Sequence, residues 1–330
     1  MYGRLKPRKS YLRNTGKMTE IYTITLNPAV DRELTVDTIE YDCVLRASEW
    51  QVDYGGKGFN VSRMIKSLGA NSVAIGFAGG KSGEILQEGL EALGIGTDFV
   101  WVSGETRTNV SIVNGEHSHY IKVNEPGPTI TPSEQEILVE KVKALSKAGD
   151  WWVLAGSLPP GVPSNFYKRI IEVIDNANGQ VILDTSGEPL MHGCKAGPYL
   201  VKPNEIELKN LTGMPTDNVS QVLDAAHSLL SQGVSTSLIS MGKRGALLLT
   251  EADAWKINSP KVEERNPIGA GDSLVGGLVW GLSQGLEIED AARWGVACGA
   301  AAASLSGTAV GSLELVKSLY EQTDVEAVKQ

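Results

Sequence analysis

The feature that most constrains this fold is a regular alternation of short apolar segments with segments of helical spacing, starting near Glu20. The helical segments include NVSRMIKSLG (60–69) and SGEILQEGLEALG (82–94), and each ends on a glycine. The apolar, β-rich segments include IYTITL (21–26), SVAIGF (72–77), WWVLAG (151–156), QVILDT (180–185), YLVKPN (199–204) and TSLISM (236–241). Buried strands separated by helices are typical of a largely parallel sheet that is covered on both faces. The alternation therefore predicts an α/β fold.

Two stretches break this alternation. Residues 32–54 contain two half-exposed strand patterns, at 32–39 and 46–54. Residues 106–124 have the pattern of a hairpin, in which Asn114-Gly115 suits a two-residue type I′ turn. We interpret these stretches as one small β-sheet that projects from the α/β core as a lid, with its strands inserted at about 32–54 and 100–124. Because such a sheet is unstable alone, we expect it to close over a pocket, to pair with a second subunit, or both.

Residues 18–330 are expected to form a single domain. Residues 1–17 carry six basic residues and no acidic one, and they are interpreted as an added leader or an upstream translated stretch, with a basic arm as the alternative.

The formal net charge of −9 argues against a nucleic-acid or anionic-membrane partner. No apolar run reaches the roughly 20 residues of a membrane span. Three scattered cysteines fit a reducing, cytoplasmic setting.

The stretch NPIGAGDSLVGG (266–277) leads into an apolar helix. A helix start leaves free N–H groups and a partial positive charge, and glycines at 269 and 271 let an oxyanion approach the backbone around Ala270. We expect the same dipole to keep Asp272 ionised, so that its carboxylate can accept a proton from a hydroxyl group. The alternative is that Asp272 is only a favourable residue of a first helical turn.

Ligands of open α/β sheets bind beyond the carboxyl ends of the strands, so the residues just after the predicted strands are the first candidates. Asp31 can accept two hydrogen bonds from sugar hydroxyls, or it can belong to a capped turn after Pro28. In YGGKGFN (54–60), backbone N–H groups with Lys57 and Asn60 can hold a polyhydroxy ligand, or the stretch is a tight turn with an exposed lysine. The further candidates after strands are Asn27, Gly156, Ser157, Asp184, Lys202, Asn204, Ser240 and Gly242.

Two further hypotheses concern phosphate and metal. Guanidinium groups suit phosphate, so Arg107 is the preferred phosphate ligand, Arg46 the second choice and Lys122 the third, although exposed strands often carry charges that are only solvated. Asn204 and Glu207 lie three residues apart on one helical face and could orient Mg²⁺ through water, or Asn204 could simply be a helix N-cap.

Together these stretches resemble the ribokinase-like, or PfkB, family of sugar kinases, in the family's order over residues 20–325. GAGD and the N-x-x-E of NEIE are specific to the family when they occur together, while NPAVD and TRTN resemble its phosphosugar branch. That branch includes the 1-phosphofructokinases and the tagatose-6-phosphate kinases, and the chain is most similar to the former. The matching stretches are TLNPAVD, GGKGFNVSR, GETRTNV, AGSLPPG, LDTSGE, VKPNEIEL, SMGKRGA and NPIGAGDS.

The resemblance implies a ribokinase-like three-layer Rossmann-type core with a mostly parallel central sheet and a projecting β-sheet lid. It also implies a phosphotransferase with an alcohol group as acceptor, which uses ATP and Mg²⁺. The expected reaction is phosphorylation of fructose 1-phosphate at O6, giving fructose 1,6-bisphosphate and ADP. A homodimer through the lid is a further expectation.

The resemblance also implies residue roles. Asp272 would be the catalytic base, and the N–H groups around Gly269, Ala270 and Gly271 would stabilise charge on the transferred phosphoryl group. The nucleotide would lie along Lys202, Asn204, Glu207, Ser240, Gly242 and Gly245, with Mg²⁺ oriented by Asn204 and Glu207 through water. The substrate-binding residues would be Asp31, Gly55, Gly56, Lys57, Asn60, Arg107, Asn109, Ser157 and Arg46.

Two alternatives remain open from the sequence. Tagatose 6-phosphate and fructose 6-phosphate present a hydroxyl at C1 instead of C6, and the same pocket could accept either sugar. A non-catalytic sugar-phosphate sensor on the same fold is the alternative from another class of protein.

Overall fold

A computed structural model describes residues 19–115 and 119–328 of the chain, so the basic segment 1–17 lies outside the described residues. The strands are β1 (Ile21–Thr25), β2 (Ala29–Val36), β3 (Glu49–Gly55), β4 (Val73–Ala78), β5 (Gly96–Thr97), β6 (Val100–Trp101), β7 (Arg107–Asn114), β8 (Tyr120–Val123), β9 (Trp151–Ala155), β10 (Gln180–Asp184), β11 (Leu200–Val201), β12 (Thr236–Ser240), β13 (Ala246–Thr250), β14 (Ala254–Asn258) and β15 (Asp324–Val328). The helices are α1 (Lys57–Ser67), α2 (Gly80–Ala92), α3 (Pro132–Leu145), α4 (Phe166–Asn176), α5 (Gly187–Cys194), α6 (Glu205–Thr212), α7 (Val219–Leu230), α8 (Ala270–Ser283), α9 (Ile288–Ala303) and α10 (Leu313–Tyr320).

The central sheet has the strand order β15-β14-β13-β12-β11-β10-β9-β1-β4-β5, and β6 pairs with β4. All neighbouring strands from β12 through β5 are parallel, whereas β12, β13, β14 and β15 pair in antiparallel fashion. The predicted mostly parallel sheet is therefore confirmed, with an antiparallel extension at one edge.

Helices cover both faces of this sheet and give three layers. In β9, Trp152 and Leu154 join an apolar cluster with residues of α3, α4, α5, α6 and α7. The alternate residues Val153 and Ala155 join a second cluster with α1, α8 and α9 on the other face. Because successive strand residues point to opposite faces, the fully apolar β9 is explained by burial on both sides.

The lid is a separate sheet with the strand order β3-β2-β7-β8. Strand β2 pairs in antiparallel fashion with β3 and in parallel with β7, which puts Asp31 opposite both Asp53 and Asn109. These three polar side chains therefore lie in one row across the sheet. The projecting sheet is present as predicted, and its strands begin at Ala29 and Glu49 instead of 32 and 46.

The prediction of a two-residue turn at Asn114-Gly115 is wrong. The N–H of Asn114 donates to the carbonyl of His119 at 3.2 Å, and Val113 lies opposite Tyr120. This register needs a longer connection between β7 and β8, because pairing with the partner strand outweighs the local preference of an Asn-Gly pair.

Among the described residues, no helix combines the length and the apolar character that crossing a bilayer requires.

Candidate active site

A cavity of about 1210 Å³ lies beyond the carboxyl ends of the parallel strands and extends to the lid. It is lined by residues that follow β1, β9, β10 and β11 and by residues of the lid strands. All predicted site residues but one line this cavity: Asp31, Gly55, Gly56, Lys57, Asn60, Arg107, Asn109, Ser157, Lys202, Asn204, Glu207, Ser240, Gly242, Gly245, Gly269, Ala270, Gly271 and Asp272.

The exception is Arg46. It is exposed and is not among the lining residues. The sequence pattern assigned it to the start of a lid strand, but β3 begins only at Glu49, so Arg46 belongs to the connection between β2 and β3. The third choice for a phosphate ligand, Lys122 of β8, does line the cavity.

The start of α8 forms the centre of the cavity wall. Gly269 is the N-cap residue and has a φ of 80°, a left-handed conformation that glycine adopts without strain. The first helical bond runs from the N–H of Ser273 to the carbonyl of Gly269, so the N–H groups of Gly271 and Asp272 have no acceptor within the helix. The N–H of Ala270 makes a 3.3 Å bond to the carbonyl of Pro267. The helix start thus offers backbone donors to an anion.

Asp272 is buried in the first turn of α8, with 7 % of its surface exposed. Asn60 of α1 donates from Nδ2 to its Oδ2 at 2.8 Å. Burial, with the charge of Asp184, raises the pKa of Asp272 from 3.8 to about 6, although the Asn60 bond and two lysines act in the other direction. The sequence predicts that Asp272 is ionised; with a pKa of about 6 it is mostly ionised at neutral pH, although burial raises that pKa. The carboxyl group titrates close to neutral pH, where a general base is effective.

Two lysine side chains near Asp272 form ion pairs with the same buried carboxylate. Lys57 Nζ and Lys202 Nζ each lie 3.3 Å from Oδ1 of Asp184, which ends β10. Burial alone would lower the pKa of Lys57, but the charges of Asp184, Asp272 and Glu207 raise it. The ammonium group of Lys57 is therefore kept charged near Asp272.

The lid contributes a second carboxylate, Asp31. Asn109 Nδ2 donates to Asp31 Oδ1 at 2.7 Å. Burial raises the pKa of Asp31, against the opposing effects of the Asn109 bond, Lys122 and Arg107. A Cβ atom on Gly55 would lie 2.1 Å from Asp31 Oδ2, so a larger residue there would displace the carboxylate. Asn109 Oδ1 is buried without a hydrogen-bond partner, which leaves an acceptor in this pocket.

Arg107 is held by main-chain carbonyls. Its guanidinium group donates to the oxygens of Asn27 at 2.9 Å, Glu125 at 3.1 Å and Pro28 at 3.4 Å. Burial lowers the pKa of Arg107. Since an arginine side chain carries five N–H donors, two remain after these three bonds. The guanidinium group is thus fixed in orientation and still has donors for a ligand.

Asn204 and Glu207 form a reciprocal capping box at the start of α6. Asn204 Oδ1 accepts from the N–H of Glu207 at 2.8 Å, and Glu207 Oε2 accepts from the N–H of Asn204 at 2.9 Å. The N-cap alternative is therefore confirmed as local geometry, and both side chains also line the cavity. Carboxylate and amide oxygens suit Mg²⁺, which prefers oxygen ligands and keeps several waters. In the described residues, no cluster of three or more His, Cys, Asp and Glu side chains could hold a metal ion by itself.

The remaining predicted residues lie at strand ends around the cavity. Ser157 follows Gly156 after β9, and Ser240 ends β12, where it bridges to Asn204. Gly242 begins a 3-10 turn that ends at Arg244. Gly245 has a φ of 89°, and a Cβ there would lie 1.9 Å from the carbonyl oxygen of Ile257. This close approach explains a glycine at that point.

Sequence reasoning assigned no role to several lining residues. Asp184 was noted only for its place after a strand, and its lysine partners are distant in sequence. Asp53 Oδ2 accepts a 2.7 Å bond from Thr308 Oγ1, and Arg63 lies 3.7 Å from Asp53 Oδ1. These contacts join the lid to the core. Of these residues, only Asp184 had a signal in the sequence, namely its place at the end of a buried apolar strand.

Comparison with known proteins identifies the family of this chain. The model of the pfkB family of carbohydrate kinases matches residues 18–314. A 1-phosphofructokinase of Bacillus subtilis is 37% identical over 92% of this chain and 99% of its own length. An ATP-dependent 6-phosphofructokinase isozyme 2 of Mycobacterium tuberculosis is 32% identical over 91% of this chain and 89% of its own length.

Solved structures agree with these relatives. Phosphofructokinase-2 of Escherichia coli in complex with fructose-6-phosphate has a TM-score of 0.86 and 30% sequence identity, over 92% of this chain and 99% of that one. The similarity of fold therefore extends over most of the chain.

Proposed function

The chain belongs to the pfkB family of carbohydrate kinases, and on this premise we propose that it transfers the γ-phosphoryl group of ATP to O6 of fructose 1-phosphate. The products are fructose 1,6-bisphosphate and ADP. The observation that carries the proposal is the buried Asp272 carboxylate, held by Asn60 beside the free N–H groups that begin α8. The relatives named 1-phosphofructokinase support the choice of sugar.

Asp272 acts as the general base. With a pKa of about 6 it is mostly ionised at neutral pH, and its carboxylate accepts the proton of the sugar O6 hydroxyl. The bond from O6 to the γ-phosphorus forms while the bond from that phosphorus to the β,γ-bridging oxygen breaks, and ADP leaves with the electron pair. Asn60 holds the carboxylate in place through its 2.8 Å bond.

Charge on the transferred group is stabilised by backbone donors and cations. Residues 269–271 line the cavity at a helix start where the N–H groups of Gly271 and Asp272 have no acceptor within the helix, and Lys202 lies beside them. Asn204 and Glu207 are the residues that would hold Mg²⁺ through water. When bound, Mg²⁺ neutralises charge on the ATP phosphates. Ser240, Gly242 and Gly245 line the same side of the cavity for the nucleotide.

The sugar occupies the lid side. Asp31, supported by Asn109, accepts hydrogen bonds from hydroxyl groups. The missing side chain of Gly55 leaves space for the Asp31 carboxylate, and Gly56 lines the same cavity. Arg107 binds the phosphate that the sugar already carries, through the donors that its carbonyl contacts leave free.

A coupled ADP-release assay with three sugars tests the proposal. We expect turnover on fructose 1-phosphate to exceed turnover on fructose 6-phosphate and tagatose 6-phosphate, measured as kcat/KM. A higher kcat/KM for either 6-phosphate would indicate that the sugar binds in the cavity in the opposite orientation. No turnover on any sugar would favour a non-catalytic sensor.

We further propose that two copies pair through the outer face of the lid. Trp50, Leu34, Ile112 and Ile121 lie in one row across the four lid strands, on the face opposite Asp31. Trp50 is 74% exposed in the single chain. Large exposed apolar patches mark interaction surfaces, and a second copy offers the same apolar row by symmetry. The use of ATP and a phosphosugar supports a cytoplasmic location.

A further inference from the structure

Asp184 is the most deeply buried charged group in the cavity wall. Its surface is 1% exposed, and its Oδ2 atom has no hydrogen-bond partner. A buried carboxylate is costly unless cations compensate it, and here two lysines share its Oδ1. The three residues come from separate parts of the fold, since Lys57 begins α1, Asp184 ends β10 and Lys202 follows β11.

The two lysines approach Asp184 from different parts of the fold. A Cβ atom built on Gly271 would lie 3.7 Å from Lys202 Nζ, so this ammonium group stands against the start of α8. Lys57 belongs to the glycine-rich stretch on the sugar side and has a side chain that is 41% exposed to the cavity and solvent. A lysine side chain without a partner samples many rotamers. The ion pairs with Asp184 restrict the rotamers of both lysines.

We propose that Asp184 is a positioning residue for phosphoryl transfer, which holds the ammonium groups of Lys57 and Lys202 near Asp272 and the start of α8. The inference rests on the proposed kinase function and adds a residue to it. Asp184 acts through the two lysines, and it also balances their charge, since two carboxylates and two ammonium groups meet at this point. Lysines that are fixed before the reaction need no reorganisation in the transition state.

The first test is Asp184→Asn, which keeps the shape of the side chain and removes its charge. We expect kcat to fall at least about 30-fold while the KM values for ATP and for the sugar change less than about threefold, because positioned cations act mainly in the transition state. A matched control is Asp150→Asn. Asp150 is also a buried carboxylate with an unpartnered oxygen, but it precedes β9 at the amino ends of the parallel strands and does not line the cavity. We expect its substitution to leave kcat unchanged.

The pH profile separates positioning from a merely structural role. The charged groups that act on Asp272 are Asp184, Lys57 and Lys202, and of these only Asp184 raises its pKa. In Asp184→Asn the two lysines remain, so the acidic limb of the kcat profile should move to lower pH. An unchanged limb together with a lower kcat would show that only the fold was damaged and would overturn the inference.

A double-mutant cycle covers the case in which Asp184→Asn folds poorly. Lys57→Met removes a half-exposed partner, and we expect it to fold. If Asp184 acts through the lysines, the kcat loss caused by Asp184→Asn should be at least about threefold smaller in the Lys57→Met background. Additive losses would overturn the inference. The wild-type chain is assayed first: no turnover on any sugar removes the proposed function, whereas wild-type turnover with an unaffected Asp184→Asn removes only this inference.

Discussion

At the scale of single residues, the site depends on pairs that are distant in the chain. Asn60 and Asp272 are 212 positions apart and join at 2.8 Å, and Lys57 and Asp184 are 127 positions apart. Sequence patterns identified Asp272 and Lys57, because glycines and a helix start surround each of them. Asp184 was a candidate only for its place after a strand and was given no role, because its lysine partners are brought to it only by the folded sheet.

The pH dependence of the wild-type enzyme follows from Asp272. Since burial raises its pKa from 3.8 to about 6, the carboxylate is protonated, and lost as a base, about two units higher than an ordinary aspartate. We therefore expect kcat to fall about tenfold per unit below about pH 6, measured with saturating substrates. A kcat that stays constant down to about pH 4 would contradict this environment for Asp272.

Arg107 should govern binding of the sugar phosphate. We expect Arg107→Ala to raise the KM for fructose 1-phosphate at least about tenfold with a smaller effect on kcat, because the lost contacts bind the substrate and not the transferred group. Arg169→Ala, on the outer surface of α4, is the matched control and should leave KM unchanged. An unchanged KM in Arg107→Ala would favour Lys122, which also lines the cavity.

At the scale of elements, periodicity predicted the six buried strands and the two helices that were named from the sequence, but not the antiparallel strands β13, β14 and β15. The buried strands were identifiable because burial on both faces requires continuous apolar runs. The turn after Asn114 could not be predicted from a local preference, because the register of β7 with β8 decides it. The same limit applied to Arg46, whose strand begins three residues later than the pattern indicated.

The contact between α8 and α9 depends on small residues and gives a prediction about stability. A Cβ atom on Gly277 would lie 2.6 Å from Cys298 Sγ and 2.8 Å from the carbonyl oxygen of Trp294. We therefore expect Gly277→Ala to lower the free energy of unfolding by about 1–3 kcal/mol, measured by denaturant unfolding. In Gly96→Ala the nearest atom would be 3.6 Å away, and stability should hardly change. Equal stability of the two variants would contradict tight packing between these helices.

At the scale of the whole molecule, the two faces of the lid differ in character. Its inner face carries Asp31 and Asn109 toward the cavity, while its outer face carries an apolar row. Because neighbouring residues of a strand point to opposite faces, one sheet can present both kinds of surface. The sequence predicted this sheet from its alternation, but it could not say which face meets the cavity.

Sedimentation of the purified chain tests the pairing of two lids. We expect a dimer for the wild-type chain and a shift toward monomer for Trp50→Glu, because a buried charge in an apolar interface is unfavourable. Ile137→Glu places the same charge at an exposed position of α3 and should leave the dimer intact. A monomeric wild-type chain, or a dimer that Trp50→Glu leaves unaffected, would contradict the proposed interface.

The most direct test of the central claim is the kcat of Asp272→Asn, measured together with ATP binding by calorimetry. The amide keeps the size of the side chain but cannot accept the hydroxyl proton, so we expect kcat to fall at least about 100-fold while the Kd for ATP changes less than about threefold. A variant that retains a near-normal kcat would contradict the role of Asp272 as the base.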